Sequence, residues 1–253
     1  MTFTLSPHAR VVAVVAHPDD AELMFYGTLR HWSDTGATVT VVVATHGTNG
    51  VLLHDRLAGV QLDPRTRPAE NADSFQGTDI AVECLGMTDG ALTCDIDLVT
   101  AIEDTLTRHA CTALLTHPVH TGNDHQDHHA LARAALNAAT RVATCTTILH
   151  GRPHAPHQHT TPTVLIDITT HLDDKIKALA RHRSQTGRHY LDEPYTRWRA
   201  AGEAWTTLPA HAAAGRSFEA LTPSLLLAHT PATAPVAIPD PCRSPAPRKE
   251  PIG

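Results

Sequence analysis

Two short apolar runs near the start of the chain have the pattern of strands that are buried on both faces. Residues 11–16 (VVAVVA) and 39–44 (VTVVVA) are continuous and rich in β-branched side chains, without the polar alternation of a half-buried strand. Between these runs, apolar residues recur at helical spacing over residues 20–34, and Gly36 follows as a stop signal. Strand, helix and strand in this order predict a βαβ unit of a parallel sheet.

The rest of the chain continues to alternate between helical and strand patterns. After a Gly-containing loop, we predict helices over 67–83, 95–109, 126–139, 171–183 and 193–214, and strands over 112–116, 144–149 and 163–168. The fold class is therefore α/β: a single-domain three-layer α/β/α sandwich with a mostly parallel, Rossmann-like sheet. We assign this domain to residues 1–230. Seven prolines among residues 231–253 predict a disordered tail.

Composition narrows the choice of partners. The formal net charge of -6 gives no general attraction to nucleic acid or to an anionic membrane, and we expect neither as a partner. The apolar runs fall far short of the ~20 residues that a transmembrane helix needs. Five cysteines without a C-x-x-C pair indicate reduced thiols in a cytoplasmic protein. The chain also contains 20 histidines, most of which must be bystanders.

The first group of residues that suits chemistry is His17-Pro18-Asp19-Asp20-Ala21-Glu22, directly after the first predicted strand. Ligands of open α/β sheets bind beyond the carboxyl ends of the strands, so this segment is well placed for a site. The alternative is that Asp19 or Asp20 merely caps the following helix. A site is favoured because one capping residue would suffice, whereas several metal-competent side chains stand here.

The second group spans residues 123–129 (NDHQDHH), after the predicted strand 112–116 and at the start of a helix. His125 and His128 are three residues apart and share one helical face. Asp127 is placed to accept the second ring proton of a neighbouring histidine, which would fix the tautomer. The alternative is a polar helix start capped by Asp124. Because both groups follow buried strands, we expect them at the same edge of the sheet.

Taken as a pair, these motifs resemble the PIG-L/LmbE-like zinc N-deacetylases, and the order of motifs is similar from about residue 10 to 220. Two positions differ from many members: Ala21 separates the aspartate pair from the glutamate, and Gln126 stands where proline is common. Five further segments also look like family landmarks: Thr45-His46-Gly47, Arg67-x-x-Glu70, Leu85-Gly86, Asp89-Gly90 and His182-x-Ser184-Gln185.

The resemblance implies one zinc ion per chain, ligated by His17, Asp20 and His128. Three protein ligands leave a fourth position for water, whose pKa then falls toward ~7. A His/Asp/His set binds several divalent ions, so the choice of zinc comes from the family and not from the ligands.

The resemblance also implies roles for residues around the metal. Asp19 would be the general base, and His125 would stabilise the oxyanion or protonate the leaving amine. Asp127 would tune His125, while Arg67 and Asp89 would hold sugar hydroxyls.

The expected function is hydrolysis of an N-acyl group, in first place acetyl, from an amino sugar or a glycosylated small molecule. The family suggests antibiotic or other natural-product biosynthesis. Two alternatives stay open: an amidase that cleaves a larger amide such as a thiol–sugar conjugate, and a non-catalytic metal-binding protein. The partner is then a small N-acetyl amino sugar or glycoside, and a homo-oligomer stays open.

Outside these motifs, the sequence supports weaker expectations. The His-rich stretch 150–159 is predicted to be a surface loop that borders the pocket, and a second metal site is the alternative. Trp198 and Trp205 are predicted to pack inward from a helix. Arg188, Tyr190 and Tyr195 are candidates for lining a pocket, although no pattern in the sequence decides it.

Overall fold

The computed structural model describes residues 5–119, 125–152, 162–205 and 208–226. The strands are β1 (Arg10–Val15), β2 (Thr38–Thr45), β3 (Ile80–Met87), β4 (Ala113–Thr116), β5 (Thr147–Gly151), β6 (Val164–Asp167) and β7 (Phe218–Leu226). The helices are α1 (Asp20–Asp34), α2 (Leu53–Leu57), α3 (Thr66–Ser74), α4 (Ile96–Arg108), α5 (Gln126–Ala139), α6 (Leu172–Leu179), α7 (Glu193–Trp205) and α8 (Ala210–Ala213).

The strands form one seven-stranded sheet in the order β3-β2-β1-β4-β5-β7-β6. Strands β1 to β5 are parallel, while β7 runs antiparallel to both of its neighbours. The chain passes from β1 outward to β3 and then returns to place β4 on the other side of β1. This reversal creates a switch point between the carboxyl ends of β1 and β4, which is where open α/β sheets bind ligands.

Two apolar clusters cover the two faces of the sheet. Val11, Ala13 and Val15 of β1 belong to the cluster that includes side chains of α1. The alternate residues Val12 and Val14 belong to the other cluster, with side chains of α4 and α5. The three-layer, mostly parallel α/β fold is therefore confirmed, and burial on both faces explains why β1 shows no polar alternation.

Strand β3 corrects the predicted helix over residues 67–83. The helix ends at Ser74, and a turn through Gly77, with φ of 79°, leads into β3 at Ile80. Lying at the edge of the sheet, β3 mixes buried, half-buried and exposed residues, so its apolar pattern is weak. The helical pattern in the sequence therefore continues past the point where α3 ends and β3 begins.

Strand β7 has no counterpart among the strands predicted from the sequence. Pro223 lies within it, and proline is rare inside strands because it has no N–H to donate. Opposite Pro223, the pairing with β5 changes register between Ile148 and Leu149, and this irregularity accommodates the proline.

The C-terminal helical region also differs from its prediction. The predicted helix 193–214 is two helices, α7 and α8, and the predicted helix 171–183 ends at Leu179. The inward packing of Trp198 and Trp205 is wrong, since these side chains are 69% and 57% exposed. Helix α7 instead turns Thr196, Ala200 and Glu203 toward the protein.

The structure also bears on the predictions about membrane spans, cysteines and the two segments predicted to be a loop and a tail. Within the described ranges, no helix is long and apolar enough to cross a membrane. The described cysteines (Cys84, Cys94, Cys111 and Cys145) are free thiols, as predicted. The tail 231–253 and residues 153–159 of the His-rich stretch lie outside the described residues. For His150 the prediction of a surface loop is wrong: this residue is buried in β5, and its Nδ1 lies 2.8 Å from the carbonyl oxygen of His117.

Candidate metal centre and active site

The metal-competent side chains converge at the switch point of the sheet. His17 follows β1, Asp20 is the first residue of α1, and His128 lies in the first turn of α5. The parallel pairing of β1 with β4 brings these segments together although more than 100 positions separate them in the sequence. All three side chains are buried.

The three side chains predicted as metal ligands present their atoms to one point. His17 Nδ1 lies 3.2 Å from His128 Nε2 and 3.4 Å from Asp20 Oδ2. His128 Nε2 lies 3.4 Å from Asp20 Oδ1. A tetrahedral site with metal–ligand distances of ~2.0–2.1 Å has edges of about 3.3 Å. The observed spacings are close to these edges, but the two histidines approach different oxygens of Asp20, so the assignment of these three residues as the ligands stays a prediction.

The second nitrogen of His17 faces two carboxylates. Its Nε2 lies 3.2 Å from Asp89 Oδ1 and 3.2 Å from Asp127 Oδ2. A metal-bound histidine commonly donates its other ring N–H to a carboxylate, which fixes the tautomer and orients the ring. Burial alone would lower the pKa of His17, but Asp127, Asp20 and Asp89 raise it well above its usual value. Carboxylates that favour positive charge on this ring also favour a bound cation.

Asp20 is held in its ionised form. Its Oδ2 accepts the backbone N–H of His17 at 2.7 Å. Burial would raise the pKa of Asp20, but the charges and hydrogen bonds of His128 and His117 hold this pKa well below its usual value. His117, which follows β4, places its Nε2 3.4 Å from Asp20 Oδ2 and stacks on His128 with ring centroids 4.1 Å apart. Sequence reasoning missed His117 because it stands alone, outside any motif.

The donor atoms form three overlapping groups, in each of which all ligand atoms lie within 4.8 Å of one another. Imidazole and carboxylate donors suit zinc as well as other first-row divalent ions. The described residues therefore fit a divalent metal. The groups are His17 with His125 and His128, Asp20 with His117 and His128, and His17 with Asp89 and Asp127. Each group contains one or two of the three predicted ligands, and none contains all three.

The side chain of Asp19 belongs to none of these three groups and makes no capping bond to helix α1. Its backbone has φ of 114°, a left-handed conformation that is uncommon for any residue except glycine, and its side chain makes no capping hydrogen bond. The carboxylate instead accepts from Arg67 Nη2 at 2.9 Å. Burial raises the pKa of Asp19 although the charge of Arg67 opposes the shift. The capping alternative therefore does not account for Asp19.

Arg67 and Asp89 form part of the wall of the site. Arg67 is buried and donates to the carbonyl oxygens of Pro18 and Gly47 as well as to Asp19. Asp89 Oδ2 accepts the N–H of Asn49 at 2.6 Å. The contacts of both residues are with the chain itself, and their predicted role with sugar hydroxyls stays a prediction.

His125 and Asp127 meet through the backbone. The N–H of Asp127 donates to His125 Nδ1 at 3.2 Å, so a neutral His125 ring carries its proton on Nε2. Burial and the nearby rings of His17 and His128 lower the pKa of His125, while the charge of Asp127 opposes the shift. The carboxylate of Asp127 lies against His17, and it also accepts the N–H groups of Gly90 and Leu92.

A buried polar network supports the site from behind. Glu22 Oε1 lies 2.7 Å from His182 Nε2 and accepts from Asn71 Nδ2 at 2.7 Å and from Ser74 Oγ. These contacts join α1, α3 and the turn after α6. They give the late His182-x-Ser184-Gln185 segment a structural role, because it fastens this turn to the rest of the site.

A second set of contacts joins the same segment to α3 and to the loop after β2. Glu70 Oε1 accepts the N–H of Ser184 at 2.8 Å, and its Oε2 accepts the hydroxyl of that residue at 2.6 Å. Gln185 Nε2 donates to the carbonyl of Gly50 at 2.7 Å.

A cavity of about 620 Å³ opens above the cluster, within the range of ~300–1,000 Å³ that is usual for small-molecule sites. Seven of the eight predicted site residues line it, and Asp127 is the exception. Arg188 and Tyr190, for which no sequence pattern was decisive, also line it, whereas Tyr195 does not. Gln185, from the late His182-x-Ser184-Gln185 segment, is a further lining residue. Two others carry no sequence signal: Asn49 and Arg56.

Comparison with known proteins agrees with this geometry. Residues 12–139, about half of the chain, match the family described as PIG-L: GlcNAc-PI de-N-acetylase. A Bacillus cereus protein named "Probable N-acetyl-alpha-D-glucosaminyl L-malate deacetylase 2" is 30% identical over 185 residues, covering 70% of this chain and 83% of that protein. A shorter match is 48% identical over 52 residues to a 1D-myo-inositol 2-acetamido-2-deoxy-alpha-D-glucopyranoside deacetylase of Nakamurella multipartita, covering 21% of this chain and 18% of that protein.

Solved structures share the fold at lower sequence identity. The N,N'-diacetylchitobiose deacetylase of Pyrococcus horikoshii has a TM-score of 0.69 and 19% identity, covering 84% of this chain and 82% of that one. The 4-carboxy-2-hydroxymuconate hydratase of Pseudomonas putida has a TM-score of 0.72 and 18% identity, covering 87% and 98%. At these identities the likeness shows the fold alone.

The sequence matches identify this protein as an enzyme, a hydrolase of the N-deacetylase class. It belongs to the GlcNAc-PI de-N-acetylase (PIG-L) family, as the paired motifs indicated.

Proposed function

We propose that this protein is a zinc-dependent N-deacetylase that removes the acetyl group from an N-acetylated amino sugar or small glycoside. The observation that carries the proposal is the meeting of the His17, His128 and Asp20 side chains, at distances of 3.2–3.4 Å, next to the buried residue Asp19. The two relatives above are named as deacetylases of N-acetylated glucosamine derivatives, which supports the choice of substrate. A role in natural-product biosynthesis and a cytoplasmic location stay predictions.

His17, Asp20 and His128 would hold the zinc ion. When bound, zinc supplies Lewis acidity, which polarises the acyl oxygen and lowers the pKa of water at the site. Two neutral imidazoles and one carboxylate would leave the centre with a net positive charge. The carboxylates of Asp89 and Asp127 would keep the ring of His17 oriented through its Nε2.

Asp19 would act as the general base. Arg67 binds Asp19 Oδ2, while no described residue donates to Oδ1, and Asp19 lines the cavity. Oδ1 is therefore the atom available to take a proton from the attacking water and to return it to the departing amine. The left-handed backbone at Asp19 and the hydrogen bond from Arg67 fix its direction before substrate enters.

His125 would stabilise the oxyanion that forms on the acyl oxygen or would protonate the leaving amine. Its Nδ1 accepts the N–H of Asp127, so a neutral ring carries its proton on Nε2, and His125 lines the cavity. One such donor to a developing oxyanion is typically worth ~3–4 kcal/mol of barrier lowering.

The proposal is tested by metal content and acetate release, measured together on a panel of N-acetylated amino sugars. Asp19→Asn keeps an oxygen acceptor for Arg67, so we expect normal zinc content and a rate lower by about 100-fold or more. Asp34→Asn, at the exposed far end of α1, is the matched control. His17→Ala and His128→Ala should lose the metal. Turnover of Asp19→Asn at the rate of the control would contradict the assignment of Asp19.

The acid that the enzyme releases distinguishes a deacetylase from an amidase that cleaves a larger amide. The cavity of about 620 Å³ has room for more than an acetyl group, so the acyl side needs its own test. Release of acetate supports the deacetylase. A purified enzyme with zinc that releases a larger acid, and no acetate, would favour the amidase.

A further inference from the structure

His117 is a buried histidine of the metal-competent cluster that has no part in the proposed reaction. It follows β4 directly, and only 1% of its surface is exposed. The three predicted ligands line the cavity, whereas His117 does not. A substrate in the cavity therefore meets the ligands first, and an effect of His117 on the site has to pass through them.

The backbone of His117 is held in place by β5 and β7. Thr116 pairs with His150 of β5, and His150 Nδ1 donates to the carbonyl oxygen of His117 at 2.8 Å. The other nitrogen of His150, Nε2, lies 2.6 Å from the hydroxyl oxygen of Ser224 in β7. Because a carbonyl oxygen only accepts, a neutral His150 ring carries its proton on Nδ1 and accepts from Ser224 at Nε2. Contacts across three strands thus fix the point at which His117 leaves β4.

The ring of His117 is held by the end of β1. The N–H of Ala16 donates to His117 Nε2 at 3.1 Å, and the next N–H, that of His17, donates to Asp20 Oδ2 at 2.7 Å. Two consecutive backbone amides therefore place an imidazole beside a carboxylate, with His117 Nε2 3.4 Å from Asp20 Oδ2. The main chain sets this arrangement, so it does not depend on a bound metal ion.

The same ring covers one face of the predicted ligand His128. The two imidazoles are stacked, with centroids 4.1 Å apart and planes 18° apart. On the other oxygen of the carboxylate, Asp20 Oδ1 lies 3.4 Å from His128 Nε2. His117 thus contacts two predicted ligands at once, and its stacked ring limits the rotation of His128.

We propose that His117 is a positioning residue that holds Asp20 and His128 in the arrangement that binds the metal ion. The inference rests on the proposed function, because it takes Asp20 and His128 as ligands. Residues that orient metal ligands typically change metal affinity by ~10–100-fold when they are replaced. A ligand set that is already in place gives up less freedom of its side chains when the metal binds.

The test measures the zinc affinity of metal-free protein by competition with a chelator of known affinity. We expect His117→Ala to bind zinc ~10–100-fold more weakly than the wild type. His117→Phe keeps a ring against His128 and should recover part of that loss. The matched control is His109→Ala, because the ring of His109 pairs with Glu83 at 2.9 Å and does not line the cavity. If His117→Ala does not fold, His117→Phe and His117→Gln should still bind zinc more weakly than the control.

Two results would overturn the inference. One is a zinc affinity of the His117 variants equal to that of the control. The other is a loss as complete as that expected for His128→Ala, because His117 would then be a ligand itself.

A spectroscopic measurement separates positioning from a general effect on folding. The visible absorption of bound Co²⁺ depends on the geometry of its ligands, so His117→Ala saturated with Co²⁺ should have shifted bands, and His109→Ala should not. Urea denaturation of the metal-free variants measures stability on its own. A variant that loses stability, with unchanged zinc affinity and unchanged Co²⁺ bands, would show that His117 only supports the fold.

The same measurements distinguish this inference from the proposed function. Zinc binding that depends on His117, without release of acetate from any substrate, would contradict the deacetylase and support the positioning role. Zinc binding with acetate release, both unaffected in the His117 variants, would do the reverse. A wild type that binds no zinc would contradict both.

Discussion

Replacing Glu22 with glutamine should destabilise the protein far more than the loss of a surface ion pair. The side chains of Glu22 and His182 are fully buried and 2.7 Å apart. The same carboxylate oxygen also accepts from Asn71 and Ser74, so one buried charge joins three segments. Glutamine keeps the shape of the side chain and removes the charge.

The size of the effect follows from the burial of both partners. Removing one member of a buried ion pair costs about 3–5 kcal/mol, because the other charge is left without a partner. In a protein of this size, 1 kcal/mol corresponds to about 2–4 °C in Tm, so we expect a decrease of about 6–20 °C. The exposed pair of Glu103 and Arg141, 3.2 Å apart, is the comparison, and Glu103→Gln should cost no more than about 1 kcal/mol.

The loss should depend on pH in a definite direction. Burial would lower the pKa of His182, but the charge of Glu22 outweighs it and raises this pKa. His182 therefore contributes its full stabilisation of the folded state below pH 6.5, the pKa of an unperturbed histidine. This stabilisation is lost as pH rises through the higher pKa of the folded state. Burial would raise the pKa of Glu22, but His182 and Ser74 lower it from 4.5. Glu22 contributes its full stabilisation of the folded state above pH 4.5, the pKa of an unperturbed glutamate. This stabilisation is lost as pH falls through the lower pKa of the folded state.

The destabilisation should therefore be largest between about pH 5 and 6 and should shrink on both sides. Urea denaturation followed by circular dichroism measures it, on protein stripped of metal, because a metal bound to the native state would add its own stability. Equal losses for Glu22→Gln and Glu103→Gln would refute the reasoning. A loss at pH 9 as large as that at pH 6 would refute the assigned role of His182.

Three further predictions concern packing and are checked by the same denaturation assay. Gly151→Ala should cost about 1–3 kcal/mol, because a Cβ there would lie 2.7 Å from the ring of Phe25 and 2.8 Å from Met24 Cβ. Gly202→Ala in α7, where a Cβ meets nothing within 4 Å, should instead stabilise by about 0.4–1 kcal/mol, and a loss as large as that of Gly151→Ala would contradict the packing argument. Trp198→Ser should change stability by less than about 0.5 kcal/mol, since the side chain is 69% exposed; a loss above 2 kcal/mol would show that it packs.

The centre of the fold can be predicted because its strands carry an unambiguous signal. Strands β1 and β2 are continuous apolar runs, and the rules of parallel sheets place the segments after β1 and β4 at one edge. That argument, applied to the sequence alone, is enough to bring His17, Asp20 and His128 together. The periphery is harder because β3 is a half-exposed edge strand and β7 contains Pro223, so local pattern and tertiary pairing disagree there.

Site residues that stand outside any motif are harder to predict from the sequence than the strands at the edge of the sheet. His117 follows β4 as His17 follows β1, and this position at the carboxyl end of a buried strand is the one signal that the sequence carries for it. Arg56 and Asn49 carry no such signal. They reach the cavity through segments whose course depends on contacts between distant parts of the chain, such as the bond from Gln185 to Gly50.

The two adjacent aspartates show how one short motif supplies two different carboxylates. Asp20 has helical geometry and faces His128 and His117, which lower its pKa. Asp19 adopts a left-handed backbone, a conformation that costs of order 1–3 kcal/mol for a residue other than glycine. That turn directs its carboxylate to Arg67 and away from the first N–H groups of α1, so the strain brings no capping bond in return. A glycine would adopt this backbone at lower cost, and a capping residue would use the helix end. Neither requirement explains an aspartate here, whereas the proposed role of Asp19, a fixed carboxylate beside the candidate metal site, does.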